Sequence, residues 1–71
     1  MASKLVIETR MADQDKWEAY GSFDDFDTCM THIINLKKNE QRIVRLIVPG
    51  SCRLTPAQEQ TLEQLGVQHI H

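Results

Sequence analysis

The sequence predicts a single small α+β domain in which a mixed four-stranded sheet carries two helices on one face, with the element order ββαβαβ. Three observations carry this prediction. Apolar and polar residues alternate with a period of two near the N-terminus, and apolar residues recur at helical spacing in the middle of the chain. A dense β-branched run over residues 41–50 is closed by Pro49 and Gly50. A chain of 71 residues makes one domain, which we assign to residues 1–71.

The first two strands are predicted to form an antiparallel hairpin. Residues 4–12 alternate as a half-buried strand does, and residues 16–23 repeat the pattern. The polar link Asp13-Gln14-Asp15 between them is turn-prone, which favours a hairpin. The side chains predicted to face the helices are Leu5, Ile7, Trp17 and Ala19, and those predicted on the opposite side are Val6, Glu8, Arg10, Glu18 and Tyr20.

The first helix is predicted to begin at Ser22. Either Ser22 and Asp25 form the capping arrangement, or Asp24 and Asp27 form it in a second register. Acidic residues at the start and basic residues at the end both favour the helix dipole. The predicted buried stripe is Phe26, Cys29, Met30, Ile33 and Leu36, with Ile34 at its border. Lys37 and Lys38 are predicted in the last turn, and Asn39 is predicted to end the helix.

The second helix has start and stop signals in its sequence. Thr55 is predicted as its N-cap, Pro56 as its first helical residue and Gln58 as the partner of the cap. Gly66 stands where a left-handed residue ends a helix. Residues 67–70 are then predicted to form a last strand, parallel to the central one, because the connection is long enough for a crossover.

The central strand, predicted over residues 42–48, is apolar on both sides. Val44, Leu46 and Val48 are predicted to pack beneath the helices. The opposite side of the sheet then faces solvent or a partner, and a side that meets only water usually carries polar residues where Ile43 and Ile47 stand. Tyrosine and arginine are frequent interface anchors. The residues predicted to bind a partner on this side are Arg10, Glu18, Tyr20, Ile43, Arg45 and Ile47.

Three interpretations of this side of the sheet stay open. Its isoleucines are covered by long side chains such as those of Arg10, Arg45 and Glu18, or it forms a homodimer, or it binds a different protein.

Charge is distributed unevenly, although the formal net charge is only −2. Acidic residues dominate the region between residues 13 and 27, and bases dominate the region between residues 37 and 53, which predicts an acidic end and a basic end. The acidic end is a second predicted partner-binding surface, able to imitate phosphates, although capping and turn formation also explain its acids. Its residues are Asp13, Asp15, Asp24, Asp25 and Asp27, and the basic group is Lys37, Lys38, Arg42, Arg45 and Arg53.

Residues with catalytic or metal-binding chemistry are sparse. Cys29 and His32 stand at a spacing that could activate a thiol, but Cys29 belongs to the apolar stripe and His32 is predicted on the solvent side of the helix. His69 and His71 point the same way on a strand, and at the chain end they are expected to fray. The loop at residues 49–52 lacks the lysine of a phosphate-binding loop. We therefore expect no catalytic residue, no cofactor and no metal.

These observations predict a small non-enzymatic interaction module. The two cysteines form no disulfide framework, and the chain shows no signal peptide or membrane-spanning run, so a cytoplasmic protein is expected. In size and format the chain is similar to small accessory proteins of phages and mobile elements, including anti-CRISPR and other host-takeover inhibitors. That resemblance implies an inhibitor of a larger protein or complex, with nucleic-acid-handling complexes among the candidates. A homodimeric module is the alternative, and so is weak nucleic-acid binding, which the net charge and the scarcity of exposed aromatics disfavour.

Overall fold

A computed structural model describes residues 4–50 and 52–70, and its element order is the predicted one. The strands are shorter than predicted by one to three residues at their ends, where pairing stops. The elements are β1 (Leu5–Arg10), β2 (Glu18–Phe23), α1 (Phe26–Asn35), a π-helical segment (Leu36–Glu40), β3 (Ile43–Ile47), α2 (Pro56–Leu65) and β4 (Gln68–Ile70).

The four strands form one mixed sheet in the order β2-β1-β3-β4. β1 pairs antiparallel with both β2 and β3, which confirms the hairpin. β4 runs parallel to β3, as the crossover predicts. β2 and β3 therefore run in the same direction with β1 between them, and β1 and β3 are the two interior strands.

A single apolar core lies between the sheet and the two helices. Burial alternates along β1 and β3, so that each strand gives every second residue to the core. Each fully buried aliphatic side chain contributes about 1.5–3 kcal/mol relative to an exposed one. Because the helices supply their buried residues to the same cluster, both pack on one side of the sheet. The core residues are Leu5, Ile7, Cys29, Ile33, Leu36, Val44, Leu46, Val48, Leu62 and Val67.

A β-bulge in the hairpin overturns part of the predicted register. Ile7 pairs with Gly21 but its neighbour Glu8 pairs with Ala19, so Tyr20 is an extra residue without a partner on β1. Residues N-terminal to a bulge of this kind change sides of the sheet. The prediction that Trp17 and Ala19 face the helices is therefore wrong, and so is the prediction that Glu18 and Tyr20 lie on the opposite side.

The start of α1 differs from both predicted registers. Ser22 belongs to β2, and Asp25 is the N-cap, accepting from the Thr28 backbone N–H at 3.0 Å and from the Thr28 hydroxyl at 2.7 Å. These two hydrogen bonds, the hydroxyl bond first, lower the pKa of the Asp25 carboxyl below its usual value. Asp25 and Thr28 thus satisfy the first turn without a contribution from Asp24.

The two helices end in left-handed residues. The π-helical segment that continues α1 is closed by Gln41 at φ 53° rather than by Asn39, and the Gln41 N–H donates to the Leu36 carbonyl. At the other helix the predictions are confirmed: Thr55 and Gln58 form a reciprocal capping box, Pro56 opens α2, and Gly66 adopts φ 74°.

Replacing Gly66 with alanine is expected to destabilise the fold by about 1–2 kcal/mol, because a left-handed backbone conformation is unfavourable for a residue with a Cβ. The new methyl group would meet only the Lys37 Nζ, at 3.7 Å, so the cost comes from the backbone and not from crowding. Gly50→Ala is the control, since nothing lies within 4 Å of its Cβ position and its φ is not positive. Chemical denaturation of both variants checks this, and equal effects would contradict it.

Candidate functional site

The side of the sheet opposite the helices, called the open face below, is built of cross-strand rows. Paired residues of neighbouring strands share one side of a sheet, so the register assigns each row. The apolar row is Val6, Ile47 and Ile70, the middle row is Ala19, Glu8, Arg45 and Gln68, and the third row is Arg10 and Ile43, with Trp17 beside them. Ser22 extends the apolar row onto β2.

The apolar row spans three neighbouring strands. Val6 of β1 pairs with Ile47 of β3, which pairs in turn with Ile70 of β4. All three residues are half-buried although no helix lies over them. Their burial comes from neighbouring side chains on the sheet, with Cβ atoms of paired residues about 5 Å apart. They form a continuous aliphatic strip at one end of the open face.

An ion pair occupies the middle row. The Arg45 guanidinium donates from Nε and Nη2 to the Glu8 Oε1, each at 2.6 Å. The two side chains are 24% and 22% exposed, so the pair is screened less than a fully solvated one. It holds Arg45 flat along the sheet, between the apolar row and the third row.

Trp17 lies over the other end of the open face. The Arg45 Cζ is 4.3 Å from the centroid of its ring and the Arg10 Cζ is 5.2 Å from it. Because Arg45 belongs to β3, the ring of Trp17 reaches across β1. Cation–π contacts of this kind contribute about 0.5–1 kcal/mol each at partly exposed sites. Trp17, Arg10, Arg45 and Glu8 are called the Trp17 cluster below.

Arg10 also fixes the turn that follows β1. Its Nη1 donates to the Gln14 carbonyl at 2.6 Å and to the Met11 carbonyl at 3.3 Å, and the Met11 N–H donates to the Gln14 side chain at 3.2 Å. Trp17 and Arg10 are therefore held in place by the same turn.

Four of the six residues predicted to bind a partner on the sheet lie on the open face as predicted. These are Arg10, Ile43, Arg45 and Ile47, all half-buried. The bulge moves Glu18 and Tyr20 to the helix side and brings Trp17 to the open face, where sequence reasoning missed it. The available signal was Gly21, since a glycine inside a strand pattern often marks a bulge.

Tyr20 contacts α1 instead of the open face. Its hydroxyl and the His32 Nδ1 share a hydrogen bond of 3.0 Å, and the His32 ring stacks on Phe23 with centroids 4.6 Å apart. His32 is therefore half-buried against the edge of the sheet, and the prediction that it lies on the solvent side of the helix is wrong.

The predicted acidic end is divided between two places. Asp13 and Asp15 follow the end of β1, whereas the other three acids follow the end of β2. Since β1 and β2 are antiparallel, these positions lie at opposite ends of the hairpin, about 20 Å apart for strands of this length. The structure therefore does not bring Asp13, Asp15, Asp24, Asp25 and Asp27 together.

The predicted basic end is divided in the same way. Lys37, Lys38 and Arg42 precede β3, at the end of the sheet where Asp13 and Asp15 lie, because Ile43 pairs with Arg10. Arg53 follows β3 at the other end. A shallow depression of about 300 Å³ beside the turn is lined by Gln14, Asp15, Lys16 and Glu18. Each end of the sheet thus carries both acidic and basic groups.

The thiol and imidazole groups form no shared site in the described part of the chain. Cys29 is fully buried and Cys52 is half-buried, and both are free thiols. His69 pairs with Leu46 on the helix side of the sheet, with its Nε2 3.3 Å from the Glu59 Oε2. His71, the other histidine of this strand pattern, lies outside the described residues. Within residues 4–50 and 52–70, no three potential metal ligands cluster.

Cys29 is expected to be inert towards thiol reagents in the folded protein. Burial, with a smaller contribution from the negative charge of Asp25, raises the pKa of its thiol to about 11. A disulfide reagent such as DTNB should label Cys52 alone before unfolding and both cysteines afterwards. Two reactive thiols in the folded state would contradict this.

The same pKa shift sets the sign of an alkaline effect on stability. The contribution of Cys29 is complete below the ordinary thiol pKa of about 8.5 and is lost as the pH rises towards the folded value of about 11. Cys29→Ala removes that pH dependence and serves as the control.

The fold and the open face define a class of protein. It is a small α+β domain whose mixed four-stranded sheet carries helices on one side and bears an apolar row and an arginine–tryptophan cluster on the other. Compared with known proteins, the chain matches no family model, no curated protein and no solved structure. Among the described residues, no helix has the length and apolar character needed to cross a membrane.

Proposed function

We propose that this chain is a non-enzymatic protein-interaction module that acts by occupying a surface of a larger protein, and that the open face is the surface it uses. The observation that carries the proposal is the combination of an aliphatic strip, Val6, Ile47 and Ile70, with the Trp17 cluster on one side of the sheet. Tryptophan and arginine are the residue types most enriched among residues that dominate binding energy.

The Trp17 cluster supports the proposal because its side chains are already ordered. Arg45 is fixed by Glu8, and Arg10 is fixed by two carbonyls of the turn. Binding through side chains that are already ordered costs less conformational entropy than binding that must first order them. The difference is about 0.5–1.5 kcal/mol for each flexible side chain. The open face is thus suited to recognition.

The mode of action that we propose is inhibition or occlusion. Small accessory proteins of phages and mobile elements, anti-CRISPR inhibitors included, have this format and act through bound surfaces. A protein complex that handles nucleic acid is within the range of partners proposed. We place the module in the cytoplasm, since Cys29 and Cys52 are both free thiols.

Affinity capture with three variants tests the proposal. A tagged chain is used to capture proteins from lysate of the source organism, alongside Ile47→Asp, Ile70→Asp and Ile34→Asp. Ile34 is the matched control, because it is an isoleucine on α1, 37% exposed and away from the open face. Wild type and Ile34→Asp are expected to retain one stoichiometric partner that the two open-face variants lose.

Two results would contradict the proposal. One is the absence of any stoichiometric partner, and the other is a partner whose capture depends on Ile34 and not on Ile47 or Ile70. Circular dichroism of each variant separates loss of binding from loss of folding, and Ile70, at the edge of the sheet, provides a variant that disturbs the core less than Ile47 does.

A further inference from the structure

On the basis of the function proposed above, we infer that the partner presents a carboxylate and an apolar side chain on one surface, and that Arg10 receives the carboxylate while Val6, Ile47 and Ile70 receive the apolar group. The chemical class of the partner is therefore an acidic protein surface that also exposes an aliphatic or aromatic residue. Some charges and hydrogen-bond donors of the open face are already paired within the chain, and those that remain unpaired are available to a partner.

The charged residues of the open face do not neutralise one another completely. Its charged residues are Glu8, Arg10 and Arg45, and Glu8 is engaged by Arg45 at 2.6 Å. Arg10 has no carboxylate within 4.0 Å among the described residues. The open face therefore carries one positive charge, on Arg10, that no acidic group neutralises directly.

Arg10 keeps part of its guanidinium group available for hydrogen bonding. A guanidinium has five N–H donors. Both hydrogen bonds that Arg10 makes leave from Nη1, to the Met11 and Gln14 carbonyls. Its Nε and Nη2 have no acceptor in residues 4–50 and 52–70, and together they form the edge that binds a carboxylate through two parallel hydrogen bonds. The turn and the Trp17 ring hold that edge in position.

Arg10 and the apolar row lie close enough together for one partner to contact both. The apolar row and the third row are four residues apart along β1, from Val6 to Arg10, which is about 13 Å at the rise of a strand. One partner surface can therefore contact both, with its carboxylate about 13 Å from its apolar group. The Glu8–Arg45 pair lies between the two contacts.

A nucleic acid fits the open face less well than an acidic protein. A phosphate backbone finds nothing to bind along Val6, Ile47 and Ile70. The whole chain has a net charge of −2, which opposes the many phosphates of a nucleic acid more than the single carboxylate that Arg10 can bind. The guanidinium groups of Arg10 and Arg45 already lie over the Trp17 ring and compete with a base for it.

A second copy of the chain also fits less well. Among the strand residues of the open face, face-to-face pairing would offer Arg10 only the Glu8 of the other copy, which its own Arg45 holds. A larger protein can extend beyond the sheet onto the turn that Arg10 fixes.

Selection from a peptide library tests this inference. Random dodecapeptides displayed on phage are selected against the wild-type chain, and the strongest binder is synthesised and titrated. Trp17 is the only tryptophan of the chain, so its emission reports directly on occupancy of the open face. The selected peptides are expected to combine aspartate or glutamate with leucine, isoleucine or an aromatic residue.

Variants then assign the contacts. Arg10→Gln and Ile47→Asp are each expected to weaken the peptide by about 10- to 100-fold, the loss that a charge-assisted bidentate contact or a buried apolar contact represents. Arg10→Lys keeps the positive charge but lacks the paired Nε and Nη2 donors, so its affinity for the peptide should lie between those of wild type and Arg10→Gln. Arg53→Gln, which removes an exposed cation that belongs to no strand of the open face, should change affinity by less than about twofold.

The remaining outcomes separate this inference from the proposed function. Peptides without acidic residues that still depend on Ile47 would overturn the inference and leave the proposed function standing. Peptides that bind without dependence on Ile47 or Ile70 would overturn both. If a single-stranded oligonucleotide binds and Arg10→Gln abolishes its binding, the partner is a nucleic acid and the inference is wrong. If sedimentation shows a dimer that Ile47→Asp dissociates, the partner is a second copy of the chain and the inference is again wrong.

Discussion

Replacing Leu62 with alanine is expected to lower the free energy of unfolding by about 2–5 kcal/mol, the range for large-to-small substitutions in a core. Leu62 is 0% exposed, and among the residues of α2 it is the one fully buried side chain. A domain of this length is stable by about 4–10 kcal/mol in total, so the variant should lose roughly half of its stability at room temperature. Urea denaturation followed by circular dichroism measures the change.

Leu65→Ala is the matched control for Leu62. It removes the same side chain from the same helix at a position that is half-buried against the core. Its cost should be about 1 kcal/mol, since less apolar surface is lost. If the two variants are equally destabilised, α2 is not held to the sheet chiefly by Leu62.

The second large effect is expected from the two aromatic residues of the hairpin that the bulge places on opposite sides of the sheet. Trp17→Ala should weaken binding of the captured partner or of the selected peptide by at least tenfold, because truncation of a tryptophan that anchors an interface typically costs about 2 kcal/mol or more. Tyr20→Ala should leave binding within about twofold, since its hydroxyl is bonded to His32 on the helix side. Calorimetric titration measures both affinities without relying on tryptophan emission.

Stability should respond in a complementary way to these two substitutions. Tyr20→Ala loses the hydrogen bond and the ring contact with His32, at a cost of about 1 kcal/mol. Tyr20→Phe keeps the ring and separates the two contributions. If Tyr20→Ala abolishes binding and Trp17→Ala does not, the register that the bulge produces is wrong.

The features that could be predicted from the sequence are those that depend on neighbours along the chain. The capping box of Thr55 and Gln58 and the left-handed Gly66 are both confirmed, because a helix end is decided within a few residues. The alternation of β3 is equally local, and Val44 and Leu46 are buried as predicted. The order of elements followed from these signals together.

The bulge could not be predicted because it depends on pairing between two strands. Residues 16–23 alternate regularly in sequence, and the apolar Trp17 suggests burial under a helix. Only the partner strand reveals that Tyr20 has no counterpart between Ile7 and Glu8. The start of α1 was missed for a related reason: Ser22, Asp24 and Asp25 are all good caps, and the choice among them depends on β2 pairing as far as Phe23.

The division of the acids is a different kind of error. Asp13 and Asp24 are close in sequence, and their separation follows from the direction of β2, which carries the chain from one end of the sheet to the other. A hairpin had been predicted, so the separation was available from the sequence. Acidic residues that cluster within a stretch of sequence need not lie close together in the folded protein.

The three-residue strand β4 has a consequence for the solubility of the protein. It covers the edge of β3, and the Val48 N–H continues the pairing to the Ile70 carbonyl at 2.7 Å. β3 reads Ile-Val-Arg-Leu-Ile, a β-branched segment with a single charge, and such a segment readily stacks with copies of itself when its backbone is unpaired. β4 is itself too short to recruit another chain easily. The last strand therefore protects the chain against aggregation through β3.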